Sequence, residues 1–98
     1  MTSSDWPFDH AKNVGCVTTR QVLRENAPIT VVIHYSDDHS WAFLGGDDFK
    51  VSDGLLIAMS EAAELDPTLF EVADLEPGWT AQRDHVCGSW TREFAPEM

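Results

Sequence analysis

The spacing of apolar and polar positions divides this chain into short segments. Ile29-Thr30-Val31-Val32-Ile33-His34-Tyr35 is the strongest of them, bounded by Pro28 and by Ser36-Asp37-Asp38. It is rich in β-branched and aromatic side chains, which suit a pleated surface, so it predicts a strand. The near-continuous apolar run predicts a central strand covered on both faces. Trp41-Ala42-Phe43-Leu44 alternates with a period of two, which places Trp41 and Phe43 on one face and Ala42 and Leu44 on the other. Five residues, Ser36 to Ser40, separate the two runs. That loop length suits an antiparallel hairpin.

Ahead of the hairpin, Val14-Gly15-Cys16-Val17 is a short β-like run. Thr18 or Thr19 then caps a short helix through Arg24 or Glu25, with Val22 and Leu23 facing in. Asn26-Ala27-Pro28 ends it, because the residue before a proline is pushed out of the α region. Residues 1–12 read as an extended arm that folds back through Trp6 and Phe8. After the hairpin, Gly45-Gly46-Asp47-Asp48 predicts a sharp turn. Ser52 is placed to cap a helix over about 52–65, with Leu55, Leu56, Met59, Ala62 and Ala63 as its apolar stripe. Ser60, Glu61 and Glu64 then point outward. Asp66-Pro67 stops the helix, and Pro67 opens a turn that carries Leu69 and Phe70 into the core. Pro77-Gly78 fills the central positions of a type II turn. Trp79 to Gln82 and Ser89 to Phe94 read as strands, with Trp41 and Trp90 inside. The expectation is a single α+β domain over 1–98, with the body at 14–94 and a tail at 95–98. Its sheet is twisted and mostly antiparallel, with four or five strands. The main helix packs on one face, and a short helix lies near the N-terminus.

Charge changes the picture more than composition does. The net charge is −11. Residues 1–50 carry four basic and seven acidic side chains, and residues 51–98 carry two basic and ten acidic. Such a field repels nucleic acid and anionic lipid and steers basic partners to the C-terminal half. Solubility alone is the simpler meaning of the same acidity. No stretch is long and apolar enough to span a bilayer. Met1 to Asp5 lacks the basic and apolar regions of a signal peptide. A cytoplasmic setting is therefore expected, with Cys16 and Cys87 as reduced, buried side chains and their pairing left open.

Candidate chemistry is thin. His34, His39, His85 and Cys87, with Cys16 and His10 beside them, are the available metal ligands, but no chelating motif links them. Cys87 with His85 is the one arrangement that suggests a nucleophile and base, since alternate residues of a strand share a face. Asp37-Asp38 and Asp47-Asp48 read as solvated turns, and Gly45-Gly46 lacks the lysine of a phosphate loop. Arg83 has two readings. One is a structural ion pair with Asp74, Asp84 or a turn carbonyl. The other is an exposed contact residue beside Trp79, the tryptophan expected at the surface.

Two patterns then stand out. One is Trp41-x-Phe43-Leu44-x-Gly46-Asp47. The other is Asp74-Leu75-x-Pro77-Gly78-x-x-Ala81-x-Arg83, followed by Trp90. Over residues 14–93 the chain resembles a family of small bacterial domains of unknown function. Some members of that family are assigned as immunity proteins beside polymorphic toxins. The resemblance carries no catalytic or cofactor residues. It implies a compact bacterial cytosolic module that binds and neutralises a toxin. The acidity, the lack of a catalytic template and the contact chemistry of Trp and Arg extend this to a non-enzymatic module that binds a basic protein such as a toxin, with Trp79, Arg83, Asp74 and Glu76 as candidate contacts. The alternatives are a small hydrolase or metal-dependent enzyme using Cys87 and His85, and a homodimeric structural domain.

Overall fold

The computed structural model describes Trp6, Phe8 and residues 11–45, 51–85 and 88–94. In chain order the elements begin with β1 (Gly15–Thr19), α1 (Arg20–Glu25), β2 (Ile29–His34) and β3 (Trp41–Gly45). A 3-10 turn (Val51–Asp53), β4 (Gly54–Ala58), α2 (Met59–Leu65) and a second 3-10 segment (Pro67–Val72) follow. β5 (Trp79–Gln82) and β6 (Thr91–Phe94) complete the chain. The strands form one sheet in the order β4-β1-β3-β2-β5-β6. β1 and β3 run parallel, and every other neighbouring pair is antiparallel.

The α+β class expected from the sequence holds, but the sheet is mixed and has six strands rather than four or five. The extra strand comes from the segment read as one long helix. Leu55, Leu56 and Ile57 alternate across a strand that pairs with β1, placing Cys16 opposite Ile57 and Thr18 opposite Leu55. The helix therefore covers only Met59–Leu65, with Met59, Ala62 and Ala63 buried. Leu56, expected in the stripe, is 76% exposed. Ser52 does not cap this helix. The Ala58 amide at its start donates to the Glu61 carboxylate at 2.9 Å, which satisfies a donor that would otherwise lack a partner.

The hairpin forms as read. β2 and β3 pair with His34 opposite Trp41 and Val32 opposite Phe43. The Tyr35 amide closes the loop on the Ser40 carbonyl at 2.9 Å. β2 is central, with β3 on one side and β5 on the other. The registers place Cys16, Ile57, Phe43, Trp41, Val32, His34 and Ala81 on one face of the sheet. Phe8, Val22, Met59, Leu69 and Val72 pack against that face. The expected return of the arm is visible in Phe8, whose ring centroid lies 5.2 Å from that of Trp41 in an edge-on contact. Leu69 is buried as expected, whereas Phe70 is 42% exposed and meets the Trp6 and Phe8 rings edge-on.

Thr19 stands at the N-cap position of α1, yet its hydroxyl does not cap the helix. It donates instead to the Gly45 carbonyl at 2.8 Å, as Thr18 does to the Phe43 carbonyl at 2.7 Å. Both hydroxyls are buried, so the cross-strand carbonyl satisfies a donor that solvent does not reach. Gly46 to Lys50, which include most of the expected Gly-Gly-Asp-Asp turn, lie outside the described residues.

The turn expected at Pro77-Gly78 is present. Gly78 has φ of 90°, and the Trp79 amide donates to the Glu76 carbonyl at 3.1 Å. A type II turn requires positive φ at its third residue, which glycine adopts without penalty. Gly78→Ala is expected to cost about 1–2 kcal/mol. The check is thermal unfolding, with a fall in Tm of at least roughly 4 °C.

Candidate functional site

Besides the β2–β5 ladder, the segment from Leu75 to Arg83 is tied to β2 at four points. The His34 imidazole donates from Nδ1 to the Leu75 carbonyl at 2.7 Å, and the Gly78 amide returns a bond of 2.7 Å to the His34 carbonyl. Further along, the Arg83 amide donates to the Thr30 carbonyl and Arg83 Nε to the Ile29 carbonyl, both at 3.0 Å. His34 is thus part of the scaffold. It is 2% exposed and stacked on Trp41 at 3.9 Å.

Arg83 is buried, with its side chain 1% exposed. Nη2 meets Asp66 Oδ2 at 2.7 Å, Nη1 donates to Thr68 Oγ1 at 2.9 Å, and the guanidinium lies 4.0 Å from the Trp90 ring centroid. The other Asp66 oxygen accepts from the Thr68 amide at 3.0 Å and the Thr68 hydroxyl at 2.6 Å. One side chain therefore joins β2, the start of the second 3-10 segment and Trp90. Of the two sequence readings, the structural ion pair describes Arg83 here. Its partner is Asp66 rather than Asp74 or Asp84, and its carbonyl is that of Ile29. Asp66 was legible only as a helix stop. The signal for more was the Asp-Pro-Thr spacing, in which a carboxylate caps the amide two residues on.

The other three candidate contacts stay together at the surface. Asp74, Glu76 and Trp79 line a cavity of about 310 Å³ with Leu75 and Arg92. Asp74 and Glu76 are exposed and Trp79 is half-buried. Trp79 sits opposite Phe94 in the β5–β6 register, with ring centroids 5.6 Å apart and planes tilted by 52°. Phe94 is 61% exposed. Arg92 Nη2 bridges Asp74 Oδ1 at 2.8 Å and the Glu71 carbonyl at 3.0 Å. The hydrogen bond from Arg92 holds the Asp74 carboxyl below its ordinary range. The pair is solvent-exposed, so its contribution to stability is about 0–1 kcal/mol. That contribution is present above the ordinary carboxylate range and lost as pH falls through the depressed value. Sequence reading missed Arg92 and Phe94. They reach Trp79 and Asp74 only through strand pairing, which no local pattern announces.

A larger cleft of about 560 Å³ lies between the ends of α1 and α2, lined by Val22, Pro28, Ile29, Leu65, Asp66 and Pro67 among others. Its buried carboxylate, Asp66, already has both oxygens engaged by Thr68 and Arg83. The surface around Trp79 is thus the better candidate for recognition, since its charged groups face solvent.

The residues considered for catalysis or metal binding do not converge. Among the described residues no group of three or more His, Cys, Asp or Glu is placed to hold a metal ion. His39 and His85 are exposed. His10 and Cys87 lie outside the described residues, so the Cys87–His85 pairing does too. Cys16 is a free thiol, 1% exposed. Burial first, and the Glu61 carboxylate second, push its pKa from 9.0 up to about 12. A thiol so raised is un-ionised at neutral pH and a poor nucleophile. Mass-mapped labelling at neutral pH is expected to modify Cys16 only when the protein unfolds. Labelling at the rate of an unfolded control would contradict its burial. The same shift makes stability pH-dependent. Below pH 9 the thiol is neutral in both states, and between 9 and about 12 only the unfolded state ionises, so stability falls as pH rises through that window.

No described helix is long and apolar enough to cross a membrane. Comparison with protein-family models, with curated proteins and with solved structures gave no match.

Proposed function

We propose that this chain is a non-enzymatic, immunity-like bacterial module that binds a basic protein such as a toxin in the cytoplasm. Asp74, Glu76 and Trp79 supply the contact surface, and Phe94 extends it. The observation that carries this reading is their gathering around one cavity of about 310 Å³, in the half of the chain with ten acidic and two basic residues. A half-buried aromatic flanked by acids suits a cationic surface. The ring supplies anchor area, and the carboxylates speed encounter and favour positive partners. Arg83 contributes indirectly, by holding the β-strand that presents Trp79. Nucleic acid and membrane surfaces are unsuited to such a field.

The test is affinity purification with the products of neighbouring genes expressed alongside, followed by titration of any basic protein retained. Affinity is expected to fall as salt rises, because surface charges are screened beyond about 10 Å at 0.1 M. Trp79→Ala should weaken binding about tenfold or more; because Trp79 also packs against the core, binding is compared at a temperature below the melting point of the variant. If no basic neighbour is retained, or if binding ignores both salt and Trp79→Ala, the reading fails.

A further inference from the structure

The two edges of the sheet are built differently. β6 carries Arg92 and Glu93, and charged side chains on an edge strand discourage pairing with another chain. At the other edge, β4 reads Gly54-Leu55-Leu56-Ile57-Ala58, and residues 54–60 carry no charged side chain. Beside it, Asp53 is held by Arg20 and Gln21, each at 3.0 Å. Leu56 is 76% exposed at the middle of this strand, opposite the 39% exposed Val17 on β1.

The hydrogen-bonding phase of the edge follows from two contacts. The Met59 amide donates to the Val14 carbonyl at 2.8 Å, which makes this pair a hydrogen-bonded one. Antiparallel ladders repeat every two residues, so Ile57 and Leu55 also turn their backbone groups towards β1. The groups of Gly54, Leu56 and Ala58 then point to the outer edge. The Ala58 amide agrees, since it leaves the ladder for the Glu61 carboxylate. Among the described residues, β1 is the only strand beside β4.

We infer that the β4 edge is a self-association surface, on which a second copy of this chain adds its own β4 antiparallel about a two-fold axis near Leu56. That register places Leu56 opposite Leu56 of the second copy, exchanging both backbone bonds, and Gly54 opposite Ala58. Small residues at both ends let the backbones approach, and the two leucines cover each other. A two-fold interface must be self-complementary, and this strand is so in shape and in having no charged side chain from Gly54 to Ala58; the Glu61 carboxylate, on the Ala58 amide, stands at the end of the paired stretch. Charge also selects the occupant. Two copies that each carry −11 repel, so they meet most easily along the strand whose own side chains are uncharged, whereas a basic partner is drawn to the acidic residues elsewhere. The sheet order sets β4 at the edge opposite β5 and β6, so the dimer leaves Trp79 open.

The test is analytical ultracentrifugation of the full chain over a concentration series at low and high salt, with amide exchange at Leu56 followed in parallel. The expected result is a reversible dimer that tightens as salt rises, the reverse of the salt response expected for a basic partner. Leu56→Glu should weaken dimerisation about tenfold or more, and its exposed position leaves folding intact. Leu56 amide exchange in the unmodified chain should slow as the dimer forms. A chain that stays monomeric throughout the series, a dimer that persists in Leu56→Glu, or a dimer that leaves Leu56 exchange unchanged overturns the inference.

Discussion

Arg83→Ala is expected to lower the Tm of the domain by more than about 12 °C, corresponding to a loss of about 3–5 kcal/mol. The magnitude follows from what remains behind. Asp66 is 7% exposed, and without the guanidinium its charge is buried with, among the described residues, the Thr68 amide and hydroxyl to compensate it. The Ile29 carbonyl loses its Nε donor and Trp90 loses the cation over its ring. A domain of this size has about 5–15 kcal/mol of stability in total, so the change removes a large part of it. Arg83→Lys should fall between wild type and alanine. It keeps the charge, but a single ammonium does not reach Asp66, Thr68 and Ile29 in the fork geometry of the guanidinium. Thermal unfolding followed by circular dichroism checks both variants. An alanine variant that melts with the wild type would remove Arg83 from the scaffold.

Gly45→Ala should be similarly severe, with a cost of about 3 kcal/mol or more. Gly45 lies opposite Ile29 where the β2–β3 register shifts. A Cβ added there would overlap the Pro28 carbonyl oxygen and press on Val22 Cγ2 at 3.1 Å. The oxygen belongs to backbone between α1 and β2, so relief requires moving the strand itself. The Gly45 carbonyl also accepts the buried Thr19 hydroxyl, which ties the same shift to β1. Soluble yield and urea unfolding report the effect. Unfolding at the wild-type midpoint would contradict the packing described at this bulge.

Much of the fold could be read locally. The β2–β3 hairpin, the Pro77-Gly78 turn and β5 each follow from side-chain alternation or from turn residues with one preferred conformation. Residues 52–65 could not be read so simply. Leu55, Leu56 and Met59 fit a helical stripe, while Leu55, Leu56 and Ile57 fit a strand edge. The choice was made by β1, about 40 residues earlier, which pairs with β4 in register from Gly15 to Thr19. The parallel β1–β3 contact is equally non-local. At the candidate surface, Asp74, Glu76 and Trp79 were visible as neighbours in sequence. Arg92 and Phe94 joined them only when β6 paired with β5. Arg83 needed Asp66, 17 residues away, to become a buried anchor.

The segment from Asp74 to Arg83 has two roles: Arg83 locks it to the interior through Asp66, and Trp79 stands half-buried at the rim of the core face, beside the exposed Asp74 and Glu76. A double-mutant cycle on Arg83→Met and Asp66→Asn tests the lock most directly, since asparagine retains an oxygen for the Thr68 amide. The two changes are expected to be coupled by more than about 1 kcal/mol, with the double variant more stable than the sum of the single losses implies. Losses that add to within about 0.5 kcal/mol would contradict it.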